Sequence, residues 1–206
     1  MNRLLIIGAG GHGRAVAEAA KLGRKYLPVA FLDDAVSPPA QIWDIPVWGS
    51  TAALATYHDR VDAVVVAIGR NELREALHSR VRAAHFSLAT VVHPAAVVSP
   101  TAEVGAGCAL MAGAIVGTQA RLGEGAIVNS GAVVDHDCTV GPFGHLGVNA
   151  CMAGGTTLGT GAWMQAGSSL GYSAVVLAWQ VLRPGESLAM RTDIGSSTKS
   201  VGVHGC

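Results

Sequence analysis

Residues 134–139 read Val-Asp-His-Asp-Cys-Thr, in a stretch of chain otherwise poor in ionisable groups. An imidazole flanked by two carboxylates suits proton transfer near neutral pH. A carboxylate that accepts from one ring nitrogen fixes the tautomer and raises the basicity of the other nitrogen. Either Asp135 or Asp137 can orient the ring of His136 while the other faces solvent, and the sequence does not choose between them. His145 follows nine residues later. The bland alternative for both histidines is a polar, solvated corner without chemistry. A second group lies near the start of the chain, where Gly8-Ala9-Gly10-Gly11-His12-Gly13 separates an apolar run from a helical pattern. Glycines at this spacing let the backbone approach a phosphate, and a helix N-terminus offers it free N–H groups. His12 sits inside that loop, within reach of a phosphate or sugar, or else is an ordinary surface residue. Asp33 and Asp34 end the next apolar run, at the edge of a parallel sheet where ligands bind, or form a solvated turn. Gly69 and Asn71 follow a third run at the same edge, with Asn71 equally suited to capping a helix. Arg74 could meet phosphate or lie on an exposed helix face.

These residues need two kinds of scaffold. From Val98 to Leu182 every sixth residue is Val, Leu or Met, without a miss, and four residues after each, as far as Ala174, stands a small residue. A helix face recurs at 3.6 residues and cannot hold a period of six. A strict hexad builds a parallel β-helix, three hexads to a triangular coil. Gly105, Gly123, Gly141 and Gly159 add a period of eighteen, which places glycine at one corner of every coil, where a side chain would restrict the backbone. The pattern is disturbed after Val176, where Leu177 and Arg183 follow the aliphatic position, as though the prism were being closed off there.

Ahead of the hexads, apolar runs at Arg3–Ile7, Val29–Leu32 and Asp62–Ile68 read as buried parallel strands. Arg14–Leu22 and a segment from Asn71 with Leu73, Leu77 and Val81 inward read as helices. Ile45–Trp48 reads as a short strand, and Ser50 as the cap of a short helix over Ala52–Tyr57. Leu88–Val92 is a last strand leading into the hexads. The alternation predicts a Rossmann-like α/β nucleotide-binding unit over 1–88, an all-β parallel helix over 89–190 and a flexible tail over 191–206. The glycine loop matches the dinucleotide fingerprint, with Asp33 twenty residues beyond Gly13. Under ninety residues and about four strands cannot hold two mononucleotide halves, so the loop is read as binding one nucleotide diphosphate.

Composition narrows the class. Fourteen basic residues balance fourteen acidic ones, which argues against nucleic acid or an anionic membrane as the main partner. No run of about eighteen apolar residues predicts a membrane-crossing helix. Leu4–Ile7 is too short for a signal-peptide core, and the expected location is cytoplasmic. The four cysteines form no Cys-x-x-Cys pair. They are expected to be reduced thiols, with no metal.

Four segments together carry a resemblance: Gly8–Gly13, Phe31–Asp34, Ala67–Arg74 and Asn129–Cys138. Over residues 3 to about 170 the chain resembles the hexapeptide-repeat sugar O/N-acetyltransferases of the sialic-acid and bacillosamine biosynthesis type. The resemblance implies a left-handed β-helix and a homotrimer with active sites between subunits. It also implies acetyl-CoA as co-substrate and a nucleotide-linked 4-amino sugar as acceptor. By the same resemblance His136 matches the general base with Asp137 as its acidic neighbour, and His145 matches a second active-site histidine. Asn129 and Gly154 match positions near acetyl-CoA, and Gly11, His12, Asp33 and Asp34 match the nucleotide-sugar pocket. Arg70 departs from the Asn or Asp of many members, and Val175–Met190 lacks the usual Gly-x-Pro-Ala closing segment. The expected reaction is N-acetylation of the sugar amine by direct attack. The alternatives are sugar O-acetylation, a zinc hydratase built on His136 and His145, and a non-catalytic trimer that binds a nucleotide sugar.

Overall fold

The computed structural model describes residues 1–189. The tail expected over 191–206, with Cys206, lies outside the described residues. The N-terminal part is a five-stranded sheet in the order β3-β4-β2-β1-β5, built from β1 (Asn2–Ile7), β2 (Tyr26–Leu32), β3 (Ala40–Ile42), β4 (Ile45–Gly49) and β5 (Ala63–Val66). Leu4–Ile7 and Val64–Val66 are almost wholly buried, because helices cover both faces of a parallel sheet and leave no polar side. Helix α1 (Gly11–Gly23) follows β1, and α2 (Asn71–Ala83) follows β5. Only β3 runs antiparallel, forming a hairpin with β4 that the alternation of strands and helices did not predict. Helix α1 starts at Gly11, three residues before the expected Arg14, so the last glycines of the loop are its first turn.

Among the described residues the hexads form seventeen two-residue strands in three parallel sheets of six, five and six. The sheet built on Ala109–Leu110, Ile127–Val128, His145–Leu146 and Trp163–Met164 is the docking sheet, because the α/β unit packs against it. The chain then turns a corner into a second sheet containing Val133–Val134 and Cys151–Met152. A further corner leads to a third sheet containing Thr139–Val140 and Thr157–Leu158. Register advances by eighteen residues per coil, pairing Ile127 with His145 and His145 with Trp163. The aliphatic series points inward throughout. From Leu110 to Leu182 its members are buried, and Val98 and Val104 at the open first coil are partly so. Each buried aliphatic side chain contributes roughly 1.5–3 kcal/mol, and the column of them is the core of the prism.

The segment read as one strand over Leu88–Val92 is divided between the two scaffolds. Leu88 bridges to Val64 of the α/β sheet, whereas Val91–Val92 pairs with Ala109–Leu110 of the prism. The prism also continues past Val176 without a break, through Val175–Val176, Val181–Leu182 and Ser187–Leu188. The glycine column at Gly105, Gly123, Gly141 and Gly159 has a cause other than the expected one. None of these residues has a left-handed backbone, but a Cβ on Gly141 would lie 2.6 Å from the Thr160 nitrogen of the coil stacked on it. Leu177 takes the next place in that column and is exposed, so its side chain has room there. Arg183 ends a different column, whose earlier members Met111, Asn129, Gly147 and Gln165 were never uniformly small.

Candidate active site

The proposed nucleotide loop is shaped by steric demands at its ends and left open in its middle. Gly8 adopts φ +104, and a Cβ on Gly13 would strike the Gly8 carbonyl, so α1 can sit close to β1 only because both are glycine. A Cβ on Gly10 or Gly11 would meet nothing within 4 Å. Their bareness is not required by the fold and leaves space for something outside the chain. Helix α1 has no side-chain cap and no acidic residue in its first turn, so its N–H groups are free to receive an anion.

Asp33 accepts hydrogen bonds from Ala9 N at 2.7 Å and Ala35 N at 2.8 Å, which pins the loop to the end of β2. Asp34 accepts from Thr51 N at 2.7 Å and Thr51 Oγ1 at 3.0 Å. It therefore caps the 3₁₀ helix Thr51–Tyr57 in place of the expected Ser50, which makes no side-chain cap. Both carboxylates thus hold neighbouring backbone segments in place at this edge of the sheet. Asn71 is not the cap of α2 but its first residue. It is buried and donates from Nδ2 to Gly161 O of the prism at 2.9 Å. Arg74 lies neither on an exposed face nor in an open phosphate cleft, since it is wholly buried between the α/β unit and the prism. It donates to Ile68 O and Gly69 O on its own side and to Gly125 O and Phe143 O on the prism side.

Around this arginine the structure gathers His12, Gly69 and His145. His145 stands on the docking sheet, 6% exposed, with Nδ1 at 3.2 Å from Gly69 O. Its ring stacks on Trp163, centroids 5.2 Å apart and planes at 11°. Burial first, then the nearby charge of Arg74, pushes the His145 pKa down to about 3. The same two causes push His12 down to about 4. Trp163 was missed in the sequence. Its signal is arithmetic, because a residue eighteen positions after another on the same sheet lies directly above it.

His136 is elsewhere. It occupies the corner between the second and third sheets, the edge of the prism that faces away from the docking sheet. The acid that orients it is Asp137, whose Oδ2 is 2.8 Å from Nδ1. Asp135 lies 3.9 Å from Nε2 and accepts instead from the His136 backbone N–H. Both carboxylates raise the His136 pKa, the hydrogen bond to Asp137 most and the charge of Asp135 next. Gly154 is eighteen residues on and lies against the ring, where a Cβ would collide with Nε2 and Cε1. Asn129 sits one corner earlier, its Oδ1 accepting from Ser130 N at 2.8 Å. His136 and His145 do not meet within one chain, and no three His, Cys, Asp or Glu side chains among the described residues gather as a metal site would. No helix among those residues is long and apolar enough to cross a membrane.

A phosphate-type loop on a small α/β sheet, docked on a three-sided β-helix whose far edge carries a His–Asp pair, defines the class of two-domain hexapeptide-repeat acyltransferases. Residues 3–81 match the family model of the PglD N-terminal domain. The chain is similar to PerB from Caulobacter crescentus, solved in complex with CoA and GDP-perosamine. Identity is 34%, with 91% of each chain covered and a TM-score of 0.77. It is also similar to the acetyltransferase domain of PglB from Neisseria gonorrhoeae FA1090 in complex with acetyl coenzyme A, at 33% identity. Coverage is 92% of this chain and 96% of that one, with a TM-score of 0.71. A UDP-N-acetylbacillosamine N-acetyltransferase of Bacillus subtilis (strain 168) is 30% identical over 116 residues. That match spans 54% of this chain and about half, 52%, of the curated relative. The chain belongs to the left-handed β-helix, hexapeptide-repeat nucleotide-sugar N-acetyltransferases.

Proposed function

We propose that this protein transfers the acetyl group of acetyl-CoA to the 4-amino group of a nucleotide-linked amino sugar. The observation that carries the reading is the His136–Asp137 pair on an open prism edge, with the bare Gly154 against its ring. With Nδ1–H donated to Asp137, Nε2 holds the lone pair that removes a proton from the amine as it attacks the thioester carbonyl. The nitrogen–carbon bond forms, the tetrahedral oxyanion collapses, and the carbon–sulfur bond breaks. The thiolate of CoA leaves and takes up a proton. A backbone N–H at a coil corner would meet the oxyanion. Asn129 and Gly154 flank the path of acetyl-CoA. Gly10, Gly11, His12 and Gly69 line the nucleotide-sugar cleft, with Asp33, Asp34 and Asn71 holding its walls. Holding both substrates removes the entropic penalty of a bimolecular encounter.

The cleft and His136 lie on opposite sides of one prism. A site using both needs the edge of one copy to face the seam of another, which supports a homotrimer with active sites between subunits. Use of acetyl-CoA and a nucleotide sugar supports a cytoplasmic location. The test is thiol release from acetyl-CoA by the full chain, offered UDP-, GDP- and dTDP-linked 4-amino sugars beside hydroxyl-bearing sugars such as sialic acid. Turnover with one amino acceptor and not with the hydroxyl acceptors is expected. Turnover with a hydroxyl acceptor alone would show O-acetylation, and turnover with none would overturn the enzymatic reading.

A further inference from the structure

Arg74 is a buried cation with no carboxylate within ion-pair distance among the described residues. Its hydrogen bonds go to four backbone carbonyls, at 2.7 to 3.2 Å. Burial lowers its pKa only to about 10, so it remains charged at neutral pH. The neighbouring groups that could cancel this charge do not. Cys108 is pushed up to about 12 by burial and stays a neutral thiol. Glu72 lies on the exposed first turn of α2. Glu124 is taken by His78 and Arg82. An unpaired buried charge persists only where oriented dipoles hold it, and here the carbonyls come from both scaffolds at once.

One of those carbonyls does a second task. Gly69 O receives both Arg74 Nη1 and His145 Nδ1. A carbonyl oxygen can only accept, so the His145 nitrogen facing it must carry the proton. That leaves Nε2 as an acceptor. Trp163 stacks on the face of the ring and restrains it from leaving this plane.

We propose that Arg74 is a positioning residue that, by holding the Gly69 carbonyl, fixes His145 as the Nδ1–H tautomer and makes it a permanent hydrogen-bond acceptor in the sugar-binding cleft. His145 then cannot serve as an acid or as a cation there. It can accept from a sugar hydroxyl or from the acceptor's amino group, which orients the sugar while His136 performs the proton transfer. The groups facing His145 reinforce this: Arg74 from α2 and His12 from the start of α1 both disfavour a positive ring, and the low pKa values of both histidines agree. The role of the cleft rests on the acetyltransferase reading above. The tautomer does not, because it can be measured without substrate.

The experiment is ¹⁵N NMR of the histidine rings in the full chain between pH 5 and 8, with His145 assigned through His145→Gln. The expected result is a protonated Nδ1, an unprotonated Nε2 and no titration across the range. In Arg74→Met the ring should titrate inside the range or show mixed tautomers, with kcat/KM gaining a new acid limb. In Arg74→Lys, which keeps the charge, titration should be at least partly suppressed. If Arg74→Met does not fold, Arg74→Gln takes its place with the same expected and overturning results, and the wild-type spectrum tests the tautomer alone. An Nε2–H tautomer or a normal titration of His145 in the wild type overturns the proposal, as does an Arg74→Met spectrum identical to wild type. Absence of turnover with every acceptor would sink the acetyltransferase reading and leave the tautomer result standing.

Discussion

His136 and Asp137 are adjacent in sequence, yet their geometry is not a consequence of adjacency. Asp137 has φ 58, a left-handed backbone that disfavours most side chains by about 1–2 kcal/mol and tolerates Asp better than most. That turn folds its carboxylate back to Nδ1 of the preceding residue. The hexad pattern showed that a histidine stood among acids, but which acid orients it depends on this one dihedral, and the sequence could not supply it. Three predictions belong at this scale. His136→Ala should lower turnover on the order of 10²–10⁴-fold without loss of CoA binding, and Asp137→Asn should move the pH dependence. His136 must be unprotonated to act, so kcat/KM rises with pH through its pKa. Asp137 raises that pKa, so removing its charge shifts the rising limb to lower pH while reducing the maximum. A limb that stays in place would assign the orienting role elsewhere. Gly154→Ala is the third. Its backbone is not left-handed, so the fold accepts alanine, but the new Cβ meets the ring at Nε2. Turnover should fall at least tenfold with the melting temperature nearly unchanged. Unaltered kinetics would mean the ring does not act from this position.

The hexad elements were legible because one residue in six carries the core and the period is unbroken. Less legible was the reason for their glycines. Every sixth residue from Gly107 to Gly185 has positive φ, and six of these fourteen positions are not glycine: Gln119, Asp137, Phe143, Asn149, Ser173 and Trp179. That mixture hid the left-handed column, whereas the visible column at Gly105, Gly123, Gly141 and Gly159 has ordinary backbone angles and is set by contact between coils. The distinction has a measurable consequence. Gly141→Ala places a methyl against backbone atoms of Gly159 and Thr160, which cannot rotate aside as a side chain would. The expected destabilisation is about 1–3 kcal/mol, the range for overpacking, read by urea denaturation. Phe143→Gly relieves a left-handed aromatic but also removes the ring packed edge-on against His78, so backbone strain and packing oppose each other there. The α/β elements were found in the right order from their apolar runs. The β3–β4 hairpin was missed because three half-exposed residues carry no periodic signal.

At the scale of the whole molecule, the two scaffolds are joined through polar groups that one-dimensional reading assigns to the surface. Arg74, Asn71, His78 and His145 all lie in the seam, and each is buried. Their burial is invisible in the sequence because it depends on surface brought from far along the chain, as Arg74 meets Gly125 and Phe143, Asn71 meets Gly161, His78 meets Glu124 and His145 meets Gly69. The seam should make stability depend on pH, with a sign that can be worked out. His12 and His145 have folded pKa values of about 4 and about 3 against an ordinary 6.5, and His78 is lowered in the same direction by burial. Below pH 6.5 the unfolded chain binds protons that the folded chain refuses, so stability is full above that pH and falls as pH drops toward the folded values. Each such histidine contributes a slope of up to about 1.4 kcal/mol per pH unit. His136 acts in the opposite sense, its window lying above 6.5 because its pKa is raised. Between pH 6.5 and 5, before most carboxylates titrate, the loss should reach roughly 2–4 kcal/mol. Urea denaturation at half-unit pH steps measures it, and His12→Asn or His145→Asn should each flatten the slope whatever it does to the absolute stability. A wild-type stability that stays level from pH 7.5 to 5 would mean that these rings are protonated without strain in the folded chain, and the seam would then not be the dry, cation-bearing junction described above.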